Sequence, residues 1–170
     1  MTRERIAEVV LEGKDRFVTR TGTGRSLVFG DATEANEYSP VESILASLAA
    51  CSAMDVIGIA LKKRQNVERY EIHAVGNQRD EYPQVLTEVT VTHEVWGEDL
   101  SEQAIRRCIE LSATKYCPVN AMVSAGATTV HHRYAIHSTP SGAEAGAAPV
   151  DLAGEVITTG PYRRPDVLTE

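Results

Sequence analysis

Residues 39–56, SPVESILASLAACSAMDV, constrain the architecture more strongly than any other stretch of the chain. The segment opens with a serine suited to an N-cap, followed by Pro40 at the first helical position and by Glu42, which completes a capping box. Apolar side chains then point around most of the circumference, as far as a cationic end near Arg64. We therefore predict one long central helix, covered on several sides, with Cys51 near its middle.

Short strands are predicted on both sides of this helix, separated by glycine, proline and polar turn residues. They comprise residues 6–11, 16–20 and 26–29 before the helix, and residues 69–75, 85–96 and 128–137 after it. Within 85–96, apolar and polar residues alternate as in a half-buried antiparallel strand. Asp99 is expected to cap a second helix, and Pro118 to open a short third one. This order of elements predicts an α+β fold.

The last part of the chain differs in composition from the rest. Residues 138–170 hold four of the seven prolines and the Ala/Gly-rich run GAEAGAAP. Their periodic apolar content is too low to predict an element of secondary structure. We therefore predict one domain over residues 1–137, followed by a flexible tail over residues 138–170 that docks on the body or on a partner subunit.

Composition favours a soluble protein with small-molecule or protein partners. The 170-residue chain is 42% apolar, enough for one core, and its formal net charge is −7. The basic run at 62–64 is too short for general attraction to nucleic acid or to an anionic membrane. The N-terminus lacks the uninterrupted apolar run of a signal peptide, and Asp55 with several serines favours a globular helix over a membrane span. We expect a cytoplasmic protein.

Three cysteines, an odd number, do not suggest a secreted disulfide framework, so their reactivity is the property to weigh. Cys108 falls on the apolar face of the second predicted helix and is most simply a core residue. Cys51 lies in the stretch quoted above, and Cys117 lies in KYCPVNAMV, residues 115–123. The two strings, with cysteines 66 positions apart (117 − 51), resemble those of the OsmC/Ohr family, thiol peroxidases of bacterial oxidative and osmotic stress and their relatives. The family's order of elements matches this chain from about residue 5 to 137.

The resemblance implies an intertwined homodimer in which the two cysteines face each other near the interface. It also implies a reaction in which the Cys51 thiolate attacks the O–O bond of a hydroperoxide and becomes a sulfenic acid, and Cys117 condenses with it to a disulfide. An external thiol, in the family a dithiol, regenerates the pair. Apolar residues around Cys51 would favour organic hydroperoxides over hydrogen peroxide, because an apolar pocket gains from burying the organic part.

A cation is needed to stabilise the Cys51 thiolate, because the cysteine lies about three turns from the helix N-terminus and the helix dipole acts only over the first turn. In the family's peroxidases an arginine on the N-terminal hairpin supplies this cation, held by a glutamate at the start of the central helix. Here Lys14 or Arg16 could take that role, with Arg20 and Arg25 as weaker candidates. The residues leave this choice open, since each could also be a solvated hairpin charge.

Glu42 departs from the peroxidase pattern. The peroxidases have an adjacent Pro-Glu with the carboxylate ten residues before the cysteine, whereas the order Pro40-Val41-Glu42 puts it nine residues before Cys51. At about 100° per residue, nine positions place the two side chains nearly on opposite sides of the helix. The capping box explains Glu42 completely. The Pro-x-Glu order indicates a distinct branch of the family, whose members need not share the peroxidase activity.

Asp55 is a second candidate for the site, because Ser47, Cys51 and Asp55 follow one another at intervals of four on the predicted helix. A carboxylate alone would raise the pKa of the thiol by repelling the thiolate. Asp55 would therefore help only by holding a cation against the sulfur. Pairing with a structural arginine explains this residue equally well.

No cofactor and no dedicated metal site are expected. The five histidines all fall on predicted strands, and neither a Cys-x-x-Cys nor a His-Glu-x-x-His motif occurs. The leading function is a Cys51/Cys117 peroxidase of organic hydroperoxides in oxidative-stress defence. The alternatives are a non-enzymatic protein of the same fold that binds a small apolar ligand or buffers thiol oxidation, and a structural stress protein whose cysteines only pack.

Overall fold

The computed structural model describes residues 4–14, 16–30, 37–142 and 148–161. The chain forms two compact units, Met1–Ala46 and Ser47–Glu170. The first unit is a three-stranded antiparallel meander in the order β1-β2-β3, followed by the start of a helix. Its strands are β1 (Ala7–Leu11), β2 (Phe17–Thr21) and β3 (Ser26–Phe29). Each strand lies within one residue of its predicted position.

Helix α1 spans Pro40–Lys62, beginning in the first unit and continuing in the second. Its start agrees with the prediction, because Pro40 is the first residue and the Glu42 carboxylate accepts a hydrogen bond from the Ser39 N–H at 3.3 Å. The helix stops before Arg64, which adopts a left-handed φ of 57°. Local capping chemistry is therefore sufficient to define both ends of α1.

Only one face of α1 is buried, which differs from the prediction of a helix covered on several sides. The buried residues recur every four positions and are Leu48, Ser52, Val56 and Ala60. Other large apolar side chains of the helix are exposed, among them Met54 at 78% and Leu61 at 64%. With a mean hydropathy of 2.1, α1 is long and apolar enough to cross a membrane, a test that core helices of soluble proteins also pass.

The second unit is built on a four-stranded sheet in the order β4-β5-β6-β7. The strands are β4 (Asn66–Gln78), β5 (Leu86–Glu98), β6 (Thr129–Thr139) and β7 (Val150–Thr159). Strand β5 pairs antiparallel with β4, as predicted, but parallel with β6. A parallel pair requires a long crossover, which α2 (Glu102–Leu111) and α3 (Pro118–Ser124) supply.

Strand β7 corrects the prediction of a flexible tail over residues 138–170. It pairs antiparallel with β6 along nearly its whole length, and the predicted domain boundary at residue 137 falls inside β6. An edge strand is held mainly by main-chain hydrogen bonds, so it needs little apolar periodicity of its own. Residues 143–147 and 162–170 of the predicted tail lie outside the described residues.

The core of the second unit lies between the sheet and helices α1 and α2. Its buried members are Val56, Ala60, Val95, Leu100, Ile105, Cys108, Ile109, Tyr134 and Ile136. Cys108 is fully buried there, which confirms its prediction as a core residue. The alternation predicted for β5 is also confirmed, because Val89, Val91, His93 and Val95 are all fully buried on one face.

Helix α2 begins differently from the prediction. Its N-cap is Ser101, whose Oγ accepts a hydrogen bond from the Ala104 N–H at 3.3 Å. The predicted cap, Asp99, instead takes a left-handed φ of 48°, and its carboxylate accepts a hydrogen bond from the Ser141 N–H at 2.9 Å. Aspartate and serine are both favoured N-caps, so local sequence alone could not choose between them.

Candidate functional site

Cys51 and Cys117 come together in the second unit. The two sulfurs and a carboxylate oxygen of Asp55 all lie within 4.8 Å of one another. Both cysteines are free thiols. A disulfide has an S–S distance of about 2.05 Å, so the two side chains must rotate toward each other before a bond can form. The pair is close enough to be a candidate thiol site.

The backbone around Cys117 brings its sulfur into the site. Helix α2 is followed by a π-helical turn, Ser112–Tyr116, across which the Cys117 N–H donates to the Ser112 carbonyl at 2.9 Å. Cys117 is also the N-cap of α3, with Pro118 at the first position of that helix. The sulfur accepts a hydrogen bond from the Asn120 N–H at 3.3 Å, where an N-cap hydroxyl or carboxylate oxygen would ordinarily accept one.

Burial dominates the electrostatics of Cys117, which is only 3% exposed. Burial raises the pKa of the Cys117 thiol to about 11, and the neighbouring Cys51 thiol adds to the rise. The Asn120 N–H and the Ser52 hydroxyl, which donates to the Cys117 sulfur at 3.9 Å, oppose this rise without overcoming it. Cys117 is therefore protonated at neutral pH, whereas Cys51 is partly open to solvent.

Asp55 lies beside the cysteine pair, oriented by a hydroxyl group. The Ser112 Oγ donates to the Asp55 Oδ2 at 3.2 Å. Among residues 4–14, 16–30, 37–142 and 148–161, no basic side chain forms an ion pair with this carboxylate. The four-residue spacing from Cys51 thus brings Asp55 to the sulfurs, but without the cation that Asp55 was expected to hold.

Three predicted site residues, Glu42, Lys14 and Arg16, belong to the first unit. Glu42 has the capping role described above. The Arg16 guanidinium is held by two carboxylates, that of Glu12 at 2.9 Å and that of Glu37 at 3.7 Å. The Glu37 side chain is only 9% exposed, and sequence reasoning missed it because no motif or spacing marks it. Lys14 is an exposed turn residue. The catalytic roles of these side chains stay predictions.

Sequence reasoning also missed three polar residues that contact the site, Ser52, Ser112 and Asn120. All three are at most 1% exposed. Ser52 lies within the quoted string around Cys51, and Ser112 belongs to no recognisable motif. Asn120 carried a usable signal, because it stands three residues after an N-cap cysteine, where its N–H is expected to point back at the cap.

The donor atoms of the site also determine which metal ion could bind there. Two thiols and one carboxylate suit a thiophilic divalent ion such as Zn²⁺, and they would leave one tetrahedral position open for water. A second group of potential ligands, Glu71, His73 and Glu94, lies on the sheet with its histidine exposed. Exposed groups of this kind are common without a metal ion, so the cysteine site is the better candidate of the two.

A cavity of about 350 Å³ adjoins the site at Asp55. Its lining combines the charged residues Asp55 and Lys62 with Met54, Gly58, Ile59, Leu111 and Tyr116. This volume is at the lower end of the range for small-molecule sites. A larger cleft of about 570 Å³ is lined by polar and charged residues of α2 and includes neither cysteine. Of these two, the smaller cavity is the one that includes a residue of the site, so it is the candidate for holding an organic molecule there.

The fold and the cysteine pair together define an α+β protein with a candidate thiol redox site. The family profile for OsmC-like proteins matches residues 32–133. Protein YhfA of Escherichia coli K12 is 32% identical over 120 residues, which make up 71% of this chain and 89% of YhfA. The chain belongs to the OsmC-like protein family.

Solved structures have the same fold. A hypothetical protein from Aquifex aeolicus VF5 is 26% identical with a TM-score of 0.73, over 81% of this chain and 99% of that one. An organic hydroperoxide resistance protein from Elizabethkingia anophelis, crystallised with thiocyanate bound, has a TM-score of 0.61 over 82% and 99% of the two chains. Its identity is 13%, so it shows the fold alone. The predicted order of N-terminal antiparallel strands, long helix and further strands is confirmed.

Proposed function

We propose that this protein is a thiol-dependent peroxidase that reduces organic hydroperoxides through Cys51 and Cys117 and serves in oxidative-stress defence. The observation that carries the proposal is the approach of the two sulfurs to within 4.8 Å from separate elements of an OsmC-like fold. It is supported by the shared fold of a protein described as an organic hydroperoxide resistance protein.

The proposed reaction has three steps. The Cys51 thiolate attacks one oxygen of the hydroperoxide, the O–O bond breaks, and the sulfur becomes a sulfenic acid while the alkoxide takes up a proton and leaves as an alcohol. The Cys117 thiol then attacks the sulfenic sulfur, so that an S–S bond forms, the S–O bond breaks, and the thiol proton leaves with the hydroxide as water. An external dithiol reduces the disulfide by exchange.

Arg16 is the proposed source of the cation that stabilises the Cys51 thiolate. Both Arg16 and Lys14 are exposed, but two carboxylates hold the Arg16 guanidinium. A fixed guanidinium loses less conformational freedom on binding an anion than a mobile lysine does. In this branch of the family, Glu37 would take over the arginine-holding role that the Pro-x-Glu order removes from Glu42.

An organic substrate and a second copy of the chain complete the proposal. The apolar side chains of Met54, Ile59 and Leu111 in the cavity beside Asp55 suit the organic part of a hydroperoxide, because burying it removes apolar surface from water. We propose a cytoplasmic location and a homodimer, and the apolar residues that one copy leaves exposed support the homodimer. They include Met54 and Leu61 on α1, at 78% and 64%, and Val9 and Leu11 on β1, at 59% and 58%.

The proposal is tested by counting free thiols and measuring mass after exposure to cumene hydroperoxide or hydrogen peroxide. Wild type should lose two thiols rapidly, and faster with cumene hydroperoxide. Cys117→Ser should stop at a sulfenic acid that dimedone traps, and Cys51→Ser should lose no thiol rapidly. Cys108→Ala, which removes a buried thiol outside the site, is the matched control and should behave as wild type.

Survival of both site thiols in a moderate excess of either peroxide would refute the peroxidase. The cavity beside Asp55 would then be explained better as the binding site of a small apolar ligand in a non-enzymatic protein of this fold. Binding of such a ligand would be measurable by calorimetry with either redox state of the pair.

A further inference from the structure

A continuous chain of hydrogen bonds runs through the second unit from the sheet to the turn that carries Cys117. The Tyr70 hydroxyl on β4 lies 2.5 Å from the His93 Nδ1 on β5. The His93 Nε2 lies 3.2 Å from the His132 Nδ1 on β6, and the His132 Nε2 lies 3.1 Å from the Asn120 Oδ1 on α3. We refer to these four residues, Tyr70, His93, His132 and Asn120, as the buried network.

The Asn120 amide sets the direction of the bond between His132 and Asn120, the last bond of the buried network. Its Nδ2 donates to the Ala113 carbonyl at 2.8 Å and to the Thr159 Oγ1 at 3.2 Å. A carbonyl oxygen can only accept, so the Ala113 contact assigns the amide nitrogen to that side and leaves Oδ1 facing His132. The His132 Nε2 must therefore carry a proton and donate it to Asn120.

The remaining bonds follow from the neutral state of both histidines. Burial is the main cause that lowers the pKa of His93 to about 3 and that of His132 to about 4. With its proton on Nε2, His132 accepts at Nδ1 from the His93 Nε2–H, and His93 accepts at Nδ1 from the Tyr70 O–H. Burial also raises the pKa of Tyr70, which keeps its hydroxyl protonated.

The buried network is fully satisfied and has a single direction of donation. His93, His132 and Asn120 are each at most 1% exposed, so water does not compete for these bonds. Hydrogen bonds arranged head to tail in a medium of low dielectric polarise and strengthen one another. The position of the last member, Asn120, therefore depends on the members before it.

Asn120 holds Cys117 from two directions. Its backbone N–H donates to the Cys117 sulfur, and its side chain binds the Ala113 carbonyl in the π-helical turn that precedes Cys117. No member of the buried network is within hydrogen-bond reach of Cys51 in the part of the chain that the structure describes.

We propose that the buried network positions Cys117 for condensation with oxidised Cys51, so that His132 and Asn120 are positioning residues for the closing of the disulfide. The inference rests on the proposed function, because it concerns the second step of that reaction. Attack on the sulfenic sulfur needs alignment of the incoming sulfur with the breaking S–O bond. A misplacement of about 1 Å can slow such a step roughly 100-fold.

The test compares His132→Leu, which removes the donor to Asn120, with two other variants. His132→Gln retains an amide donor for Asn120 and an acceptor for His93. His131→Leu is the matched control, because His131 is the neighbouring histidine of β6 and its bonds are to Thr158 and Glu88. In single turnovers with cumene hydroperoxide, dimedone trapping reports sulfenic acid formation at Cys51, and mass reports the disulfide.

His132→Leu should form the sulfenic acid at the wild-type rate but close the disulfide roughly 10- to 100-fold more slowly, with more sulfinic acid as a result. His132→Gln should recover most of the closing rate, and His131→Leu should match wild type. A merely structural role would slow both steps or neither. Closure at the wild-type rate in folded His132→Leu would overturn the inference.

Two further measurements keep the inference testable. Diamide takes up the two electrons and two protons of a closing dithiol without any peroxide. If cumene hydroperoxide leaves the wild-type thiols intact, the peroxidase proposal fails. The role of the buried network is then tested with diamide, by comparing the rate of disulfide closure in His132→Leu with that in wild type. If circular dichroism shows His132→Leu to be unfolded, Tyr70→Phe replaces it. This change removes only the first donor, and disulfide closure at the wild-type rate in Tyr70→Phe would then refute the inference.

Discussion

Acid should destabilise the protein through His93 and His132. Their folded pKa values, about 3 and about 4, lie below the ordinary value of 6.5 that the unfolded chain would have. As the pH falls below 6.5, the unfolded state takes up protons that the folded state refuses, so the free energy of unfolding decreases. The stabilisation is complete above pH 6.5 and is lost as the pH falls through the folded pKa values.

The size of the effect follows from the two pKa shifts. Each pH unit below 6.5 costs about 1.4 kcal/mol per histidine until the folded pKa is reached. At about two pH units below 6.5, the free energy of unfolding is lower by about 3 kcal/mol for each histidine and by about 6 kcal/mol for both. Since whole domains have only about 5 to 15 kcal/mol of stability, acid should bring this protein close to unfolding.

Urea unfolding at fixed protein concentration, repeated between about pH 7 and pH 4.5, measures this dependence. His132→Gln removes one titrating ring, so its loss of stability over this range should be about 3 kcal/mol smaller than that of wild type. Val130→Ala, which loses packing at a fully buried position of β6, should be less stable at every pH with an unchanged slope. The carboxylates of the protein contribute equally to the pH dependence of stability in all three proteins. Equal slopes in wild type and His132→Gln would contradict the neutral buried pair.

Two other predictions concern the second cysteine and two glycines. At about pH 8, iodoacetamide should label Cys51 well before Cys117, because a pKa near 11 leaves only about one Cys117 side chain in a thousand as the thiolate. Peptide masses at early times measure the labelling of each cysteine. Equal labelling of the two would contradict the raised pKa of Cys117. Gly97→Ala should destabilise by about 3 kcal/mol, because the new Cβ would lie 2.0 Å from the Asn66 carbonyl oxygen. In Gly58→Ala the new Cβ would meet no atom within 4 Å, so this change should instead stabilise α1 by about 0.5–1 kcal/mol in the same urea unfolding assay. A Gly97→Ala protein as stable as wild type would rule out the close contact with Asn66.

Sequence reasoning succeeded where the physical cause is local. The start of α1 depends on a proline and a glutamate within three residues of its N-cap, and the structure has both in their predicted roles. The alternation predicted along β5 required only that one face be buried, and the structure buries Val89, Val91, His93 and Val95 on that face. Cys108 was assigned to the core by its helical spacing, and it is fully buried.

The errors have non-local causes. Asp99 does not cap α2 because its carboxylate binds the N–H of Ser141, which lies 42 positions further along the chain. The apparent tail contains β7 because β6 offers a free edge with which residues 150–159 can pair. Neither partner is visible in the sequence near the residue it affects. The same holds for Glu37, which contacts Arg16 across 21 positions (37 − 16).

The candidate site combines both kinds of information. Sequence resemblance identified Cys51 and Cys117 as a pair, and helical spacing placed Asp55 on the Cys51 side of α1. The structure adds the contacts that Ser52 and Asn120, one residue from each quoted string, make with the Cys117 sulfur. These contacts define the environment in which the second thiol would react.

The sequence by itself determined the α+β order of elements, the start of the long helix and the identity of the two cysteines, because capping, periodicity and motif spacing act over a few residues. Only the tertiary structure decided the protonation of Cys117, the pairing of β7 and the buried network that begins at Tyr70. Desolvation and hydrogen-bond partners act through space, and the residues that supply them are far apart in the chain. The environment of the cysteine pair is therefore a property of the packed protein.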